Sequence, residues 1–171
     1  RLSVASDKFL DEMFMTNYIT VSDEDALYPA SDREYKDLIE LEEEKYVSRN
    51  KLLFGLSRKF EWGTDMSWNV QQKFFAEKDE GEMTSRNNTM RTLIDILEYE
   101  SPKNTDILQE YFIPTENFAD FVDELRRIVK KDDLNLLNAT VRYTKAHDEG
   151  FLNYAKDDTF AVVLLFNHPL S

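Results

Sequence analysis

Cysteine is absent from the sequence. Its absence excludes disulfides, thiolate metal sites and cysteine nucleophiles, and leaves the cellular compartment open. Glycine and proline are scarce, four of each in 171 residues, and the apolar residues are spread along the whole chain, a globular composition and not a disordered one. Positive charge is in deficit: 21 Lys and Arg stand against 34 Asp and Glu, a formal net charge of −13. A surface that negative repels phosphate backbones and anionic lipid, which argues against nucleic acid as a partner. No apolar run approaches the ~20 residues that span a bilayer. The longest is Phe160 to Phe166, and Arg1 to Leu10 lacks the pattern of a signal peptide. The GxxxxGK, GxGxxG, GxSxG and HExxH patterns are also missing, so the familiar kinase, dinucleotide, hydrolase and zinc-protease readings lack their core residues.

What remains is 42% hydrophobic and 13% aromatic, enough to bury one sizeable core and too little for two comfortable domains. One domain is expected. The sequence begins at Arg1 with Leu2 to Val4 already reading as ordered, and its most hydrophobic strand, Thr159 to Asn167, is followed by only four residues. A central strand normally leads into a helix or turn that covers it, so the chain is expected to be part of a longer parent.

Residues 1–104 read as mostly helical with a strand region near the start. Phe9 to Thr20, with Phe14, Tyr18 and Ile19 followed by Val21, favours a strand, although Phe9, Leu10, Met13 and Phe14 would also suit a short helix. Ser22 to Ser31 reads as a loop, after which Ser31 or Asp32 caps a helix through Tyr35, Leu38, Ile39 and Leu41. Its acidic run, Glu40 and Glu42 to Glu44, fans around the helix and reads as a solvated face, not a metal site. Leu52, Leu53 and Leu56 predict a helix over Asn50 to Lys59, and Trp68, Phe74 and Phe75 another over Met66 to Lys78, with Gly63 separating the two. Met90, Leu93, Ile94 and Leu97 predict a further helix packed against the core.

From Thr105 onward the order is strand, helix, strand, strand. Asp106 to Ile113 is rich in β-formers and closed by Pro114. Thr115 can then cap a helix with the stripe Phe118, Phe121, Val122, Leu125, Ile128 and Val129, whose acidic start and basic end complement the helix dipole. Leu136 to Thr144 and Thr159 to Asn167 follow as a hairpin-like pair across the polar stretch Lys145 to Asp158. The expected class is α+β, an antiparallel sheet with helices packed on one face.

The strand Leu136 to Thr144 carries the clearest candidate site. Period-2 alternation puts Leu137, Ala139, Val141 and Tyr143 on one face and Asn138, Thr140, Arg142 and Thr144 on the other. A row of amide, hydroxyl and guanidinium either meets water or roofs a cavity for a polyhydroxylated or anionic ligand. On Asp106 to Ile113, Gln109 and Tyr111 share a side with Ile107 and Ile113, while Leu108, Glu110 and Phe112 share the other. Glu110 reads first as the ion-pair partner of a cation such as Arg142, and second as a pocket carboxylate. His147 and His168 have no spaced partner, and the sequons at Asn87 and Asn138 are assigned no site. No metal site is expected.

Several of these segments resemble a known domain: Thr105 to Pro114 (Thr105-Asp106-Ile107-Leu108-Gln109-Glu110-Tyr111-Phe112-Ile113-Pro114), the amphipathic helix after it, Asn138-Ala139-Thr140-Val141-Arg142-Tyr143, Asn153-Tyr154-Ala155 and Phe160 to Asn167. Together they resemble the cap, or substrate-side, domain of FAD-linked oxidases of the vanillyl-alcohol oxidase superfamily, and in particular bacterial oxidoreductases akin to alditol, gulonolactone and arabinonolactone oxidases. The resemblance is firmest over Thr105 to Asn167 and extends less securely back through Ser85-Arg86-Asn87-Asn88 to Arg1-Leu2-Ser3-Val4. It implies a two-domain parent in which a separate domain of the same chain binds FAD. The present domain would close the pocket over an alcohol or lactone substrate that gives a hydride to the flavin.

The resemblance also implies roles for single residues. Arg142 matches the arginine of a substrate-facing Glu-x-Arg pair and would be the catalytic residue, with Thr140 standing where the glutamate would be. Val163 and Leu165 occupy the positions of a His-x-Thr pair. These departures remove hydrogen bonds that a buried polyol needs, and point to a less polar or differently shaped alcohol. Asn138, Thr140, Gln109, Glu110 and Tyr111 are the expected substrate-binding residues. Two other readings compete: a noncatalytic acidic α+β protein-interaction domain, and a free-standing acid–base enzyme, which lacks a second carboxylate at convincing spacing.

Overall fold

The computed structural model describes residues 1–20, 41, 47–76, 84–90, 99–148 and 155–170, with the side chains of 74–76 outside that set. Helices α1 (Val47–Ser57), α2 (Glu61–Ala76) and the short α3 (Arg86–Met90) precede strand β1 (Asn104–Pro114), helix α4 (Phe118–Lys131) and strands β2 (Asn135–Thr144) and β3 (Thr159–Pro169). The sheet order is β1-β3-β2 with both pairings antiparallel. β1 and β2 therefore run parallel to each other on either side of β3, and α4 is the crossover between them, a split β-α-β arrangement. The α+β class expected from the sequence is the class found.

The central position goes to the most hydrophobic strand, because only there are both faces shielded by neighbours. Ala161, Val162, Leu164 and Leu165 of β3 are all buried. Val122 and Val129 of α4 share a core with Val162 and Leu164 of β3, Leu136 and Ala139 of β2, and Leu2, Val4 and Leu10 of the N-terminal segment. Each large aliphatic side chain in it stabilises by about 1.5–3 kcal/mol relative to exposure. Two ring contacts fix the helix over the sheet: Phe118 lies 4.6 Å from Phe160, and Phe121 lies 5.6 Å from Tyr111. Ile128, counted in the apolar stripe, sits at its exposed margin.

The start of α4 differs from expectation. Thr115–Asn117 forms a 3-10 turn, the α-helix begins at Phe118, and neither Thr115 nor Asn117 provides a side-chain cap; the Phe118 amide donates to the Thr115 carbonyl instead. Pro114 with φ −49° delivers the chain into that tight turn and takes the place of a hydroxyl cap. Asp120 in the first turn and Lys130 and Lys131 in the last complement the dipole as expected.

The N-terminal segment does not form the strand expected over Phe9 to Thr20. A 3-10 turn at Ser6–Lys8 and a left-handed Leu10, φ 54°, fold the chain back on itself. Its β-structure is limited to bridges from Leu2 to Met13 and to Ala139, the latter joining the outer edge of β2. The reversal is clasped by Ser3 N–H to Glu12 O and Leu10 N–H to Ser3 O, both 2.8 Å. Aromatic and branched residues favour an extended chain only where a neighbouring strand can pair with it, and Met15, Tyr18 and Ile19 stay exposed.

Helices α1 and α2 pack against each other, and Gly63 lies inside α2 instead of between the helices; the break falls at Arg58 to Phe60. A Cβ at Gly63 would stand 2.5 Å from the carbonyl carbon of Leu56, so glycine serves close packing of the hairpin here and does not end a helix. Of the expected helix through Tyr35 to Leu41 only Leu41, which is exposed, is described; the expected loop Ser22 to Ser31, the acidic run Glu40 and Glu42 to Glu44 and the stretch Arg91 to Leu97 lie outside the described residues.

Candidate functional site

α4 covers the face of β3 that carries Phe160, Val162 and Leu164, so Thr159, Ala161, Val163, Leu165 and Asn167 point the other way. The registers extend that second face across the sheet. Phe112, Ala161 and Arg142 form one row; Glu110, Val163 and Thr140 the next; then Leu108, Leu165 and Asn138; then Asp106, Asn167 and Asn135. A bulge between Leu136 and Asn138 sets the phase of β2. Because of it Leu136, not Leu137, joins Ala139 in the core beneath α4, which corrects the strict alternation expected from the sequence.

Four of the six expected site residues thus gather on one face. Asn138 and Thr140 are half-buried, and the Asn138 Nδ2 donates to Thr140 Oγ1 at 3.1 Å. Arg142 and Glu110 are exposed. Gln109 and Tyr111 lie on the α4 side, where the Tyr111 hydroxyl donates to Gln109 Oε1 at 2.9 Å and the ring packs on Phe121. The thickness of the sheet separates these two from Arg142. Val163 and Leu165, the positions matched to the family's polar pair, do share the face of Arg142, on the strand between Glu110 and Thr140.

The expected Glu110–Arg142 ion pair does not form among the described residues. β3 stands between them, which places their backbones two strand spacings apart, roughly 9–10 Å, and the register offsets them by a further row. The charge of Arg142 instead reaches another arginine, Arg1. Arg1 donates from Nη1 to Gln71 Oε1 at 2.9 Å, and its pKa is lowered by burial and, second, by the charge of Arg142. Nearby on this face in register terms, Thr159 pairs with Thr144, and its buried Oγ1 has no hydrogen-bond partner. Arg1 and Thr159 carried no signal in the sequence, since neither sits in a motif and their positions depend on the chain reversal at Leu10 and on strand register.

The second face is closed at its other end by a buried polar anchor. Arg58, at the end of α1, holds Asp106 through Nε at 3.0 Å and Nη2 at 2.5 Å, and its guanidinium lies 3.9 Å from the Tyr99 ring centre. Asn167 Nδ2 donates to Asp106 Oδ1 at 2.7 Å, and Asn135 Nδ2 to the Arg58 carbonyl at 3.1 Å. All three strands are tied to the helical hairpin there, while the Phe112–Arg142 end stays accessible.

In chemical terms the open end offers a guanidinium, a hydroxyl and an amide in a row, flanked across β3 by Phe112 and Leu108. That set donates to oxygens and packs against an apolar surface. It holds no close pair of titratable groups of the kind that moves protons. Among the described residues no cluster of His, Asp or Glu suits a metal ion. The described residues also offer FAD no cradle: the sequence has no glycine-rich turn, and Glu116 and Asp120 at the start of α4 repel a pyrophosphate. A surface depression lined by Trp62, Asp65, Met66, Asn69, Val70 and Lys73 lies on α2 and shares no residue with the polar row.

The chain matches no protein-family model, no curated protein and no solved structure. No described helix is long and apolar enough to cross a membrane.

Proposed function

We propose that this chain is the substrate-side domain of an FAD-dependent oxidoreductase acting on the CH–OH group of an alcohol or aldonolactone, with the flavin held by a domain of the parent outside residues 1–171. The observation that carries the reading is the gathering of Asn138, Thr140, Arg142 and Glu110 on the sheet face that α4 leaves free. On this reading Arg142 donates to a substrate oxygen, and Thr140 and Asn138 fix the substrate's orientation from the same strand. Phe112 and Leu108 supply an apolar wall and the half-buried Val163 an apolar floor between them and Thr140, with no polar group from the buried Leu165, which favours an alcohol less polar than an open-chain alditol. The flavin would accept the hydride; the residues of this chain bind and orient.

An absorbance spectrum of the full-length gene product tests the proposal, repeated anaerobically with alditols, aldonolactones and simpler alcohols. Flavin bands bleached by one of these classes support it and name the substrate, and Arg142→Ala should then slow bleaching at least tenfold with the flavin retained. A folded but colourless full-length protein sinks it.

A second reading, a noncatalytic acidic α+β interaction domain, is favoured by the exposure of Leu108, Phe112, Ile107 and Tyr111 along β1. It predicts a colourless full-length protein with a stable partner.

A further inference from the structure

We infer that β1 is an association edge, and that it pairs antiparallel with β1 of a second copy of this chain about a two-fold axis at Gln109, making one continuous six-stranded sheet. This goes beyond the oxidoreductase reading and does not depend on it, because backbone pairing along the outer edge of β1 needs no ligand, although Leu108 and Phe112 of that strand also lie on the face that bears Arg142.

The two outer strands are treated differently by the fold. β2 is interrupted by a bulge, and its outer edge accepts the N-terminal segment, with Leu2 N–H donating to Ala139 O at 2.9 Å. β1 is eleven residues long and pairs with β3 in unbroken register. Among the described residues nothing pairs with its outer side. Natural edge strands are blunted by bulges, inward charges, lysines or proline within the strand. β1 has no bulge and no lysine, its proline is its last residue, and its inward charge, Asp106, lies near one end and is held by Arg58. It instead exposes large apolar groups on both faces: Ile107 and Tyr111 beside α4, and Leu108, at 57% exposure, with Phe112 on the opposite face.

Overlap length and charge together select the register, and the self-complementarity of that register selects a second copy as the occupant. A two-fold axis normal to the sheet must pass through one residue, so that facing side chains share a face. Centred on Leu108, the pairing shortens the overlap and sets Glu110 of the other copy against Asp106, whose carboxylate Arg58 already holds; centred on Glu110, it shortens the overlap and sets that carboxylate against its own image, which is penalised. Centred on Ile107 or Tyr111, it shortens the overlap. Gln109 is the midpoint of Asn104–Pro114, so centring there overlaps the whole strand and brings no carboxylate opposite another. Glu110 then faces Leu108, Asp106 faces Phe112, and Ile107 faces Tyr111, an aliphatic–aromatic pair made twice on the α4 side. Eleven paired residues supply about ten backbone hydrogen bonds, the number a standard interface carries. The strand is therefore self-complementary despite the net charge of −13.

Sedimentation velocity over graded concentrations tests this with two variants at the exposed Leu108, a site where either side chain remains in water in the monomer. Leu108→Lys places an ammonium opposite Glu110 of the partner copy, and Leu108→Glu places a carboxylate there. The unaltered chain and Leu108→Lys should dimerise, with Leu108→Glu weaker than Leu108→Lys by roughly tenfold or more in dissociation constant. Circular dichroism checks that both variants fold. On dilution of the unaltered chain, backbone amides of β1 should lose exchange protection while those of β3 keep theirs. A monomer at every concentration, a dimer equally tight in the two variants, or β1 protection that ignores dilution overturns the inference.

Discussion

Glu110 and Arg142 stand on the same face of the sheet, on its two outer strands, with Val163 and Ala161 of β3 between them and no ion pair joining them. Each is exposed, so neither carries the cost of a buried lone charge. Their effects on stability should be independent. In a double-mutant cycle of Glu110→Gln and Arg142→Gln followed by urea unfolding, the coupling should fall below about 0.5 kcal/mol, as for residues beyond contact distance. A coupling above about 1 kcal/mol would mean that the two side chains meet across β3 after all, and that the guanidinium is committed to structure and not to a ligand.

Arg58 and Asp106 make the opposite case. Their side chains are 3% and 13% exposed and joined by hydrogen bonds from both Nε and Nη2 of Arg58, and Asn167 also serves Asp106. Removing one partner leaves the other charged, buried and unmatched. Arg58→Ala should therefore lower unfolding free energy by about 3–5 kcal/mol. Arg58→Lys should cost less but still be measurable, because an ammonium cannot reproduce the two-pronged contact or the stacking on Tyr99. Chemical denaturation at constant slope gives both numbers. Values near zero for Arg58→Ala would show that the helical hairpin does not depend on this anchor.

The contrast between these two pairs marks what the sequence could and could not reveal. Period-2 alternation placed Asn138, Thr140 and Arg142 on one face, and Glu110 opposite Gln109 and Tyr111 across the sheet, because side-chain direction in a strand is a local property. Which strands are neighbours is not local. Putting β3 between β1 and β2 separated Glu110 from Arg142 and brought Asp106 of β1 to Asn167 of β3, and no pattern in either segment encodes that order. The 3.6-residue stripe of α4 was legible because its apolar positions, Phe118, Phe121, Val122, Leu125 and Val129, meet one sheet face. Phe9 to Thr20 was misread because, among the described residues, the segment has only Leu2 as a pairing partner. Gly63 was misread because its smallness serves a contact with Leu56, on the other side of the Arg58 to Phe60 break, and not a turn of its own.

Gly63 and Gly55 offer a matched pair of substitutions. Both lie within helices, where alanine is intrinsically better than glycine by about 0.8–1 kcal/mol. At Gly55 a Cβ meets nothing within 4 Å, whereas at Gly63 it meets Leu56 backbone atoms at 2.5 and 2.6 Å and the Ser57 nitrogen at 2.8 Å. Backbone on both sides leaves little room to yield. Gly55→Ala should raise unfolding free energy by about 0.5–1 kcal/mol, and Gly63→Ala should lower it by about 1–3 kcal/mol as the hairpin is pushed apart. Thermal or urea midpoints distinguish them. Two changes of the same sign would mean that the close approach of α1 and α2 at Leu56 is not real.

Tyr143 and Asp158 form a pH-sensitive clasp at the open end of the β2–β3 connection. Asp158 accepts the Ala146 amide at 2.8 Å and the Tyr143 hydroxyl. Its pKa is lowered, first by the Ala146 hydrogen bond and then by that of Tyr143, while the Tyr143 pKa is raised, first by its hydrogen bond to Asp158. The signs follow from linkage. A depressed carboxylate pKa means stabilisation present above the unfolded value and lost as pH falls through the folded one. A raised phenol pKa means stabilisation present below the ordinary tyrosine value and lost as pH rises through the folded one. The clasp should therefore hold across neutral pH and open at both extremes. In an ultraviolet difference titration against Tyr143→Phe, Tyr143 should ionise above the ordinary tyrosine range, and Asp158→Asn should bring it down. Because the amide of Ala146 is the larger cause, Tyr143→Phe should leave Asp158 still below the ordinary carboxylate range when its side-chain carbon is followed by NMR. If Asp158 instead returned to that range in Tyr143→Phe, the hydroxyl and not the backbone would be the main support of the clasp, and the loop closure at Ala146 would have to be re-derived.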